Sequence, residues 1–139
     1  MNKLQLVGIA SLLAAGLATG AQASTPCDSF EIKIKNQLAD DLLVTRIKLH
    51  GADIQPGGLQ KLNAKTEQVF TVNNSTDALP MKGDMVFHTL SLPSKEVKIQ
   101  FDLTNAGLVC SHTNTSPAGD YAVEDSRSPG QVSYTISNK

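Results

Sequence analysis

Tryptophan is absent from the sequence, aromatic residues make up only 4% of it, and 12 Lys and Arg nearly balance 13 Asp and Glu. With so few aromatic rings, sugar recognition by ring stacking has little to work with. Without an excess of cations, the chain lacks the electrostatic footprint of a nucleic-acid binder. Only two cysteines occur, far apart and in no Cys-x-x-Cys grouping, which excludes a zinc ribbon or a thioredoxin-like pair. The sequence also holds no Gly-x-Ser-x-Gly, no His-Glu-x-x-His and no glycine-rich phosphate loop leading into a helix. Carboxylates are numerous, yet most of them fall in predicted turns or at outward strand positions, and nothing selects a glycosidase pair among them. The chain therefore reads as non-enzymatic and free of cofactors. What is present is enough for one packed domain: 139 residues, 40% of them hydrophobic.

Long apolar runs are lacking too, except for one at the amino terminus. Lys3 precedes Leu4 to Ala18, and the stretch closes on Ala21-Gln22-Ala23 before Ser24, small residues where a signal peptidase cuts. The run falls short of the about 20 residues of a membrane-spanning helix. Residues 1–23 are thus expected to be a secretory signal peptide and residues 24–139 a single exported domain, periplasmic or extracellular and not integral to a membrane. Loss of Lys3 leaves that domain slightly acidic. In an oxidising compartment Cys27 and Cys110 are expected to pair. The chain-entropy model assigns such a long loop about 4.5 kcal/mol of stabilisation.

Period-two alternation dominates the rest. Phe30, Ile32 and Ile34 alternate with Glu31, Lys33 and Lys35, and Leu43, Thr45, Ile47 and Leu49 with Val44, Arg46 and Lys48. Val97, Ile99, Phe101 and Leu103 alternate with Lys98, Gln100 and Asp102, as do Val132, Tyr134 and Ile136 with Ser133 and Thr135. Weaker runs at residues 68–72, 84–90, 107–113 and 120–125 bring the count to about eight strands. Turn chemistry separates them, including Gln55-Pro56-Gly57-Gly58, Asn73-Asn74-Ser75-Thr76, Leu92-Pro93-Ser94 and Ser128-Pro129-Gly130. The pattern predicts an all-β antiparallel β-sandwich stapled by one disulfide.

Two sets of polar residues invite a function. His50, His88 and His112, with Met81 and Met85 nearby, raise a small metal-binding protein or hydrolase as one alternative. Against it, an extended strand points Met85 and Phe87 one way and Val86 and His88 the other, so solvent-facing histidines and no metal site are expected. The second set is cationic. Lys33, Lys35, Arg46, Lys48 and Lys98 project from the first, second and fifth predicted strands. If those strands share a sheet, they form a stripe able to meet an anionic, phosphoinositide-like lipid or an acidic glycan. Otherwise they are an ordinary solvated face that blunts sheet edges.

The Ala-Gln-Ala/Ser cleavage site, the opening Phe-Glu-Ile-Lys-Ile-Lys-Asn strand, the Cys27 and Cys110 pair and the all-β periodicity make the chain resemble small proteins that amoeba-infecting Gram-negative bacteria export by type II secretion. That resemblance implies folding with a disulfide in the periplasm before release, and a virulence-associated role. The strand layout also resembles lipid-binding β-sandwich cytolysins of the aegerolysin type, which are richer in aromatic residues. The expectation from sequence is a secreted or periplasmic binding module for a macromolecular partner, with anionic lipid or glycan as the alternative ligand.

Overall fold

The computed structural model describes residues 25–77 and 79–139. The expected signal peptide, residues 1–23, and its cleavage point before Ser24 lie outside the described residues. Ten strands follow one another: β1 (Glu31–Asn36), β2 (Leu42–Leu49), β3 (Asp53–Gln55), β4 (Lys61–Leu62), β5 (Glu67–Asn73), β6 (Met81–Thr89), β7 (Glu96–Ala106), β8 (Val109–Asn114), β9 (Ala122–Ser128) and β10 (Gln131–Ser137). Eight of these are the expected ones. The two additions, β3 and β4, are three and two residues long, too short to print an alternation on the sequence.

The strands form two five-stranded sheets, β3-β5-β1-β10-β9 and β4-β2-β6-β7-β8. The fold is the expected all-β sandwich, with one departure from purely antiparallel pairing. β1 and β10 run parallel at the centre of the first sheet, with Ile32 opposite Val132 and Ile34 opposite Tyr134. No hairpin links these two strands, so no turn dictates their relative direction.

Between the sheets lies the core the alternation foretold: Ile32 and Ile34 from β1, Phe70 and Val72 from β5, Val97, Ile99, Phe101 and Leu103 from β7, and Val132, Tyr134 and Ile136 from β10. The phase of β2 differs from the expected one. A bulge between Val44 and Arg46 breaks its register with β6, so Leu42, Val44, Ile47 and Leu49 pack toward the core while Thr45 joins Arg46 and Lys48 among the exposed residues. One extra residue absorbed by a bulge reverses the alternation beyond it.

Two contacts fix details of the core. Gly83 and Phe101 are cross-strand partners, and the Phe101 ring lies over the glycine so closely that a Cβ there would meet Cζ at 2.1 Å. The missing side chain is the space the ring fills. Asn36 is buried at the end of β1, where its Nδ2 donates to the carbonyls of Asp40, Leu62 and Asn63 and its Oδ1 accepts from the Leu38 amide. It joins the 37–41 connection to the loop after β4, and full satisfaction of a buried amide makes such a junction specific.

Cys27 and Cys110 are disulfide-bonded, with Cα atoms 4.6 Å apart and a sequence separation of 83. Cys27 precedes β1 of the first sheet and Cys110 sits on β8, the edge strand of the second, so the bond crosses between sheets. The adjacent Asn105 extends the tie. Its Oδ1 accepts from the Cys27 amide at 2.8 Å and its Nδ2 donates to Ser75 Oγ and the Thr76 carbonyl.

Replacing both cysteines by serine is expected to lower unfolding free energy by about 2–5 kcal/mol, read from the urea midpoint of the oxidised protein against the double variant. Gly83→Ala is expected to cost about 1–3 kcal/mol through overpacking, and the near-ultraviolet dichroism of the aromatic core should change because Phe101 must rotate away.

Candidate functional site

The five cations singled out from the sequence divide between opposite faces of the sandwich. Lys33 and Lys35 stand on the outer face of the first sheet, whereas Arg46, Lys48 and Lys98 stand on the outer face of the second. β1 does not share a sheet with β2 and β7, so no single stripe forms. Three of the five also have carboxylate neighbours: Lys33 with Glu67 at 3.8 Å, Arg46 Nε with Asp84 Oδ2 at 2.7 Å, and Lys98 with Glu96 at 3.9 Å. Among the described residues, Lys35 and Lys48 have no such ion pair.

The histidines occupy three separate places. His50 is exposed just past β2, where its amide donates to the Lys82 carbonyl at 2.9 Å. His88 lies on the outer face of the second sheet, with Nδ1 3.0 Å from Thr45 Oγ1. His112 departs from the solvent-facing expectation, for it points between the sheets and its Nε2 lies 2.6 Å from Tyr134 Oη. Its neighbours on β8 explain this: Cys110 is committed inward by the disulfide, and the period of two carries His112 the same way. Among the described residues, no three His, Cys, Asp or Glu side chains converge as a metal site.

His112 belongs to a polar seam where the edge strands β8 and β9 face each other. Its ring lies 5.9 Å from Phe101 and 6.3 Å from Phe30 between centroids. Arg127 and Asp125 of β9 lie on the same sheet face as their register partners Val132 and Tyr134 but, at the edge, stay exposed at the rim of the seam. Arg127 donates to the carbonyls of Cys110, Ser128 and Gln131, and its guanidinium lies 5.1 Å from the Phe30 ring centroid. Asn114 Nδ2 donates to Asp125 Oδ1 at 2.8 Å. Burial, aided by the Arg127 charge, lowers the His112 pKa to about 4 despite the opposing Asp125 carboxylate. Burial likewise raises the Tyr134 hydroxyl above the usual phenol range, with Asp125 adding to the effect. The seam closes an open side of the sandwich with hydrogen bonds, and the charges at its rim discourage pairing with another strand.

Several other carboxylates fasten loops. Asp28 accepts from the Ser75 amide and Asp40 from the Ser91 hydroxyl and amide, and these bonds hold both below the usual carboxylate range. Asp41 accepts from the Ala64 amide and Asp120 from the Glu96 amide.

A different arrangement occupies the outer face of the second sheet. A groove of about 260 Å³ runs across β6 and β7, lined by His50, Lys82, Asp84, Gln100, Asp102 and Thr115 over a floor of Gly83 and Phe101. Alternation puts Lys82 and Asp84 on the same face of β6, and register sets them opposite Asp102 and Gln100 of β7. The Thr115 amide donates to the Gln100 carbonyl at 2.8 Å, which brings the chain after β8 to the groove wall. Arg46 holds Asp84 from one side, and Lys82 donates to Asp102 at 3.4 Å. Asp84 Oδ1 is shielded from solvent and has no hydrogen-bond partner among the described residues. The sequence contained these residues without pointing to them, because only strand register sets them side by side. Two further depressions, near 210 Å³ and 440 Å³, flank the 116–120 loop, and Pro117, Ala118 and Gly119 form part of both walls.

The His112 environment has a consequence for acid stability. Below pH 6.5 the unfolded chain protonates this histidine while the folded chain, with its value near 4, resists doing so. The unfolded state then binds more protons, so stability falls as pH drops from about 6.5 toward 4. Urea midpoints at pH 7.5 and pH 5 should show this loss in the parent protein, and His112→Gln, which keeps a hydrogen-bonding group beside Tyr134 but does not titrate, should reduce it.

No protein-family model matches the chain, and no curated protein matches it.

Proposed function

We propose that the protein is an exported binding module whose groove on the second sheet takes a neutral, polyhydroxylated ligand, a glycan rather than an anionic lipid. The observation that carries this reading is the charge state of the groove: its two carboxylates already face cations, Arg46 on Asp84 and Lys82 on Asp102. An anion entering there would have to compete with both carboxylates for the cations. A hydroxyl-rich ligand would not. Carboxylate oxygens retain lone pairs after one ion pair, Gln100 and Thr115 supply both donors and acceptors, and the ion pairs hold the acceptors in fixed positions. Such recognition works through the edges of a sugar and needs no aromatic platform, in keeping with a chain that lacks tryptophan.

The division of the basic residues between opposite faces supports the same choice. Lys35 and Lys48, the two without an ion pair, cannot engage one flat anionic surface together, since one belongs to each sheet.

The test is a glycan array followed by calorimetry on the exported, oxidised protein. Binding of a neutral glycan that changes little between low and moderate salt is the expected result. Gln100→Ala and Asp102→Asn should each weaken it about tenfold, equivalent to about 1.4 kcal/mol, while Lys35→Glu leaves it unchanged. Capture by anionic vesicles that fades with salt and with Lys48→Glu, with no glycan bound, would replace this reading with the lipid one.

A further inference from the structure

The most exposed large apolar side chains among the described residues gather at one end of the sandwich. Leu108 is 91% exposed, Leu79 79% and Val109 61%. The register puts them together: Met81 pairs with Leu103, so Leu79, two residues earlier, extends past the body of the sheet in the same direction as the β7–β8 hairpin that carries Leu108 and Val109. Asn105 ties the two segments through Ser75 and Thr76. The hairpin is held out rigidly. Ala106 pairs with Val109 across the turn, Gly107 supplies the left-handed conformation at φ 67°, and the next residue is the disulfide-bonded Cys110. From Leu103 to His112 the sequence contains no Asp, Glu, Lys or Arg.

We infer that this end is a shallow membrane-insertion edge, with Leu108 and Val109, flanked by Leu79, entering the headgroup–acyl boundary of a zwitterionic phospholipid bilayer. The size of the patch selects the occupant. Three side chains fall far below the about 800 Å² per partner of a stable protein–protein interface. A bilayer asks for no complementary shape, and transfer of protruding leucines and valine out of water is favourable in proportion to their area. Charge selects the lipid. Asp28 and Asp53 fasten the 74–75 loop beside this end and Asp77 follows that loop in the chain, while Lys82 pairs with Asp102 and Arg127 is held in the seam. A surface of anionic lipid would be repelled. No described helix is long and apolar enough to cross a membrane, and the proposed contact needs none.

The inference does not depend on the groove. Its experiment uses the absence of tryptophan: in Leu108→Trp, the new indole is the chain's only one. With phosphatidylcholine vesicles, the emission of exported, oxidised Leu108→Trp is expected to shift to the blue and to be quenched by lipids brominated near the headgroup. In the parent background, Leu108→Asp should reduce co-sedimentation with the same vesicles at least tenfold, and Gln100→Ala should leave it unchanged. An emission maximum that does not move on adding vesicles would overturn the inference. So would binding confined to phosphatidylserine vesicles, or vesicle binding that Leu108→Asp does not alter. Because Leu108 makes little contact with the fold, dichroism of each variant should match the parent.

Discussion

The disulfide between Cys27 and Cys110 is the constraint around which the rest of this structure is arranged. It is the covalent bond between the two sheets, and it joins the segment leading into β1 to the edge strand β8. Phe30, three residues after Cys27, is thereby held beside His112, two residues after Cys110, and Arg127 spans the pair by contacting the Cys110 carbonyl and the Phe30 ring. On the other side of the same bond, Asn105 collects the Cys27 amide and the 75–76 loop. A sandwich of this size buries a limited core, so a cross-link that restricts the unfolded chain is a large part of the balance.

The two long sides of the sandwich are built differently. On one side the edge strands β3 and β4 are three and two residues long and cover only Thr71–Asn73 of β5 and Leu42–Leu43 of β2. On the other, β8 and β9 are six and seven residues long, and side chains do the closing: Asn114 to Asp125, Arg127 to Cys110, and His112 to Tyr134. The seam costs desolvation of a histidine and a tyrosine, visible in the direction of both their pKa shifts. It gives in return an edge whose rim charges resist pairing with a second chain. Its titratable groups are thus accounted for by closure of the fold.

The groove and the apolar hairpin tip share a structural basis. Both are carried by β6 and β7, the central and longest strands of the second sheet, where register is fixed by inward residues such as Met85, Phe87, Ile99 and Phe101. A rigid inner face positions the outer one, and an alternation that commits odd residues of β7 to the core commits Gln100 and Asp102 to the groove.

Much of this fold was legible in the residue pattern. Alternation along β1, β7 and β10 named the core residues and their outward partners, because a strand buried on one face must repeat with period two. The cysteines, the only two in the sequence, named their own partner. The pattern went astray where local order was broken by something outside it: the bulge at Thr45, the strands β3 and β4 that exist only by pairing with longer neighbours, and the parallel meeting of β1 with β10. His112 looked like a solvated polar residue, and only the approach of β8 to β9 turns it toward Tyr134 and Phe101. For function the division is sharper. Composition determined that the chain has few rings to stack on sugars and no cationic excess to hold nucleic acid. Which side chains stand together was decided by tertiary structure, since strands adjacent in sequence fall in different sheets and strand register brings Asp84 beside Gln100 while placing Lys33 and Lys48 on opposite faces.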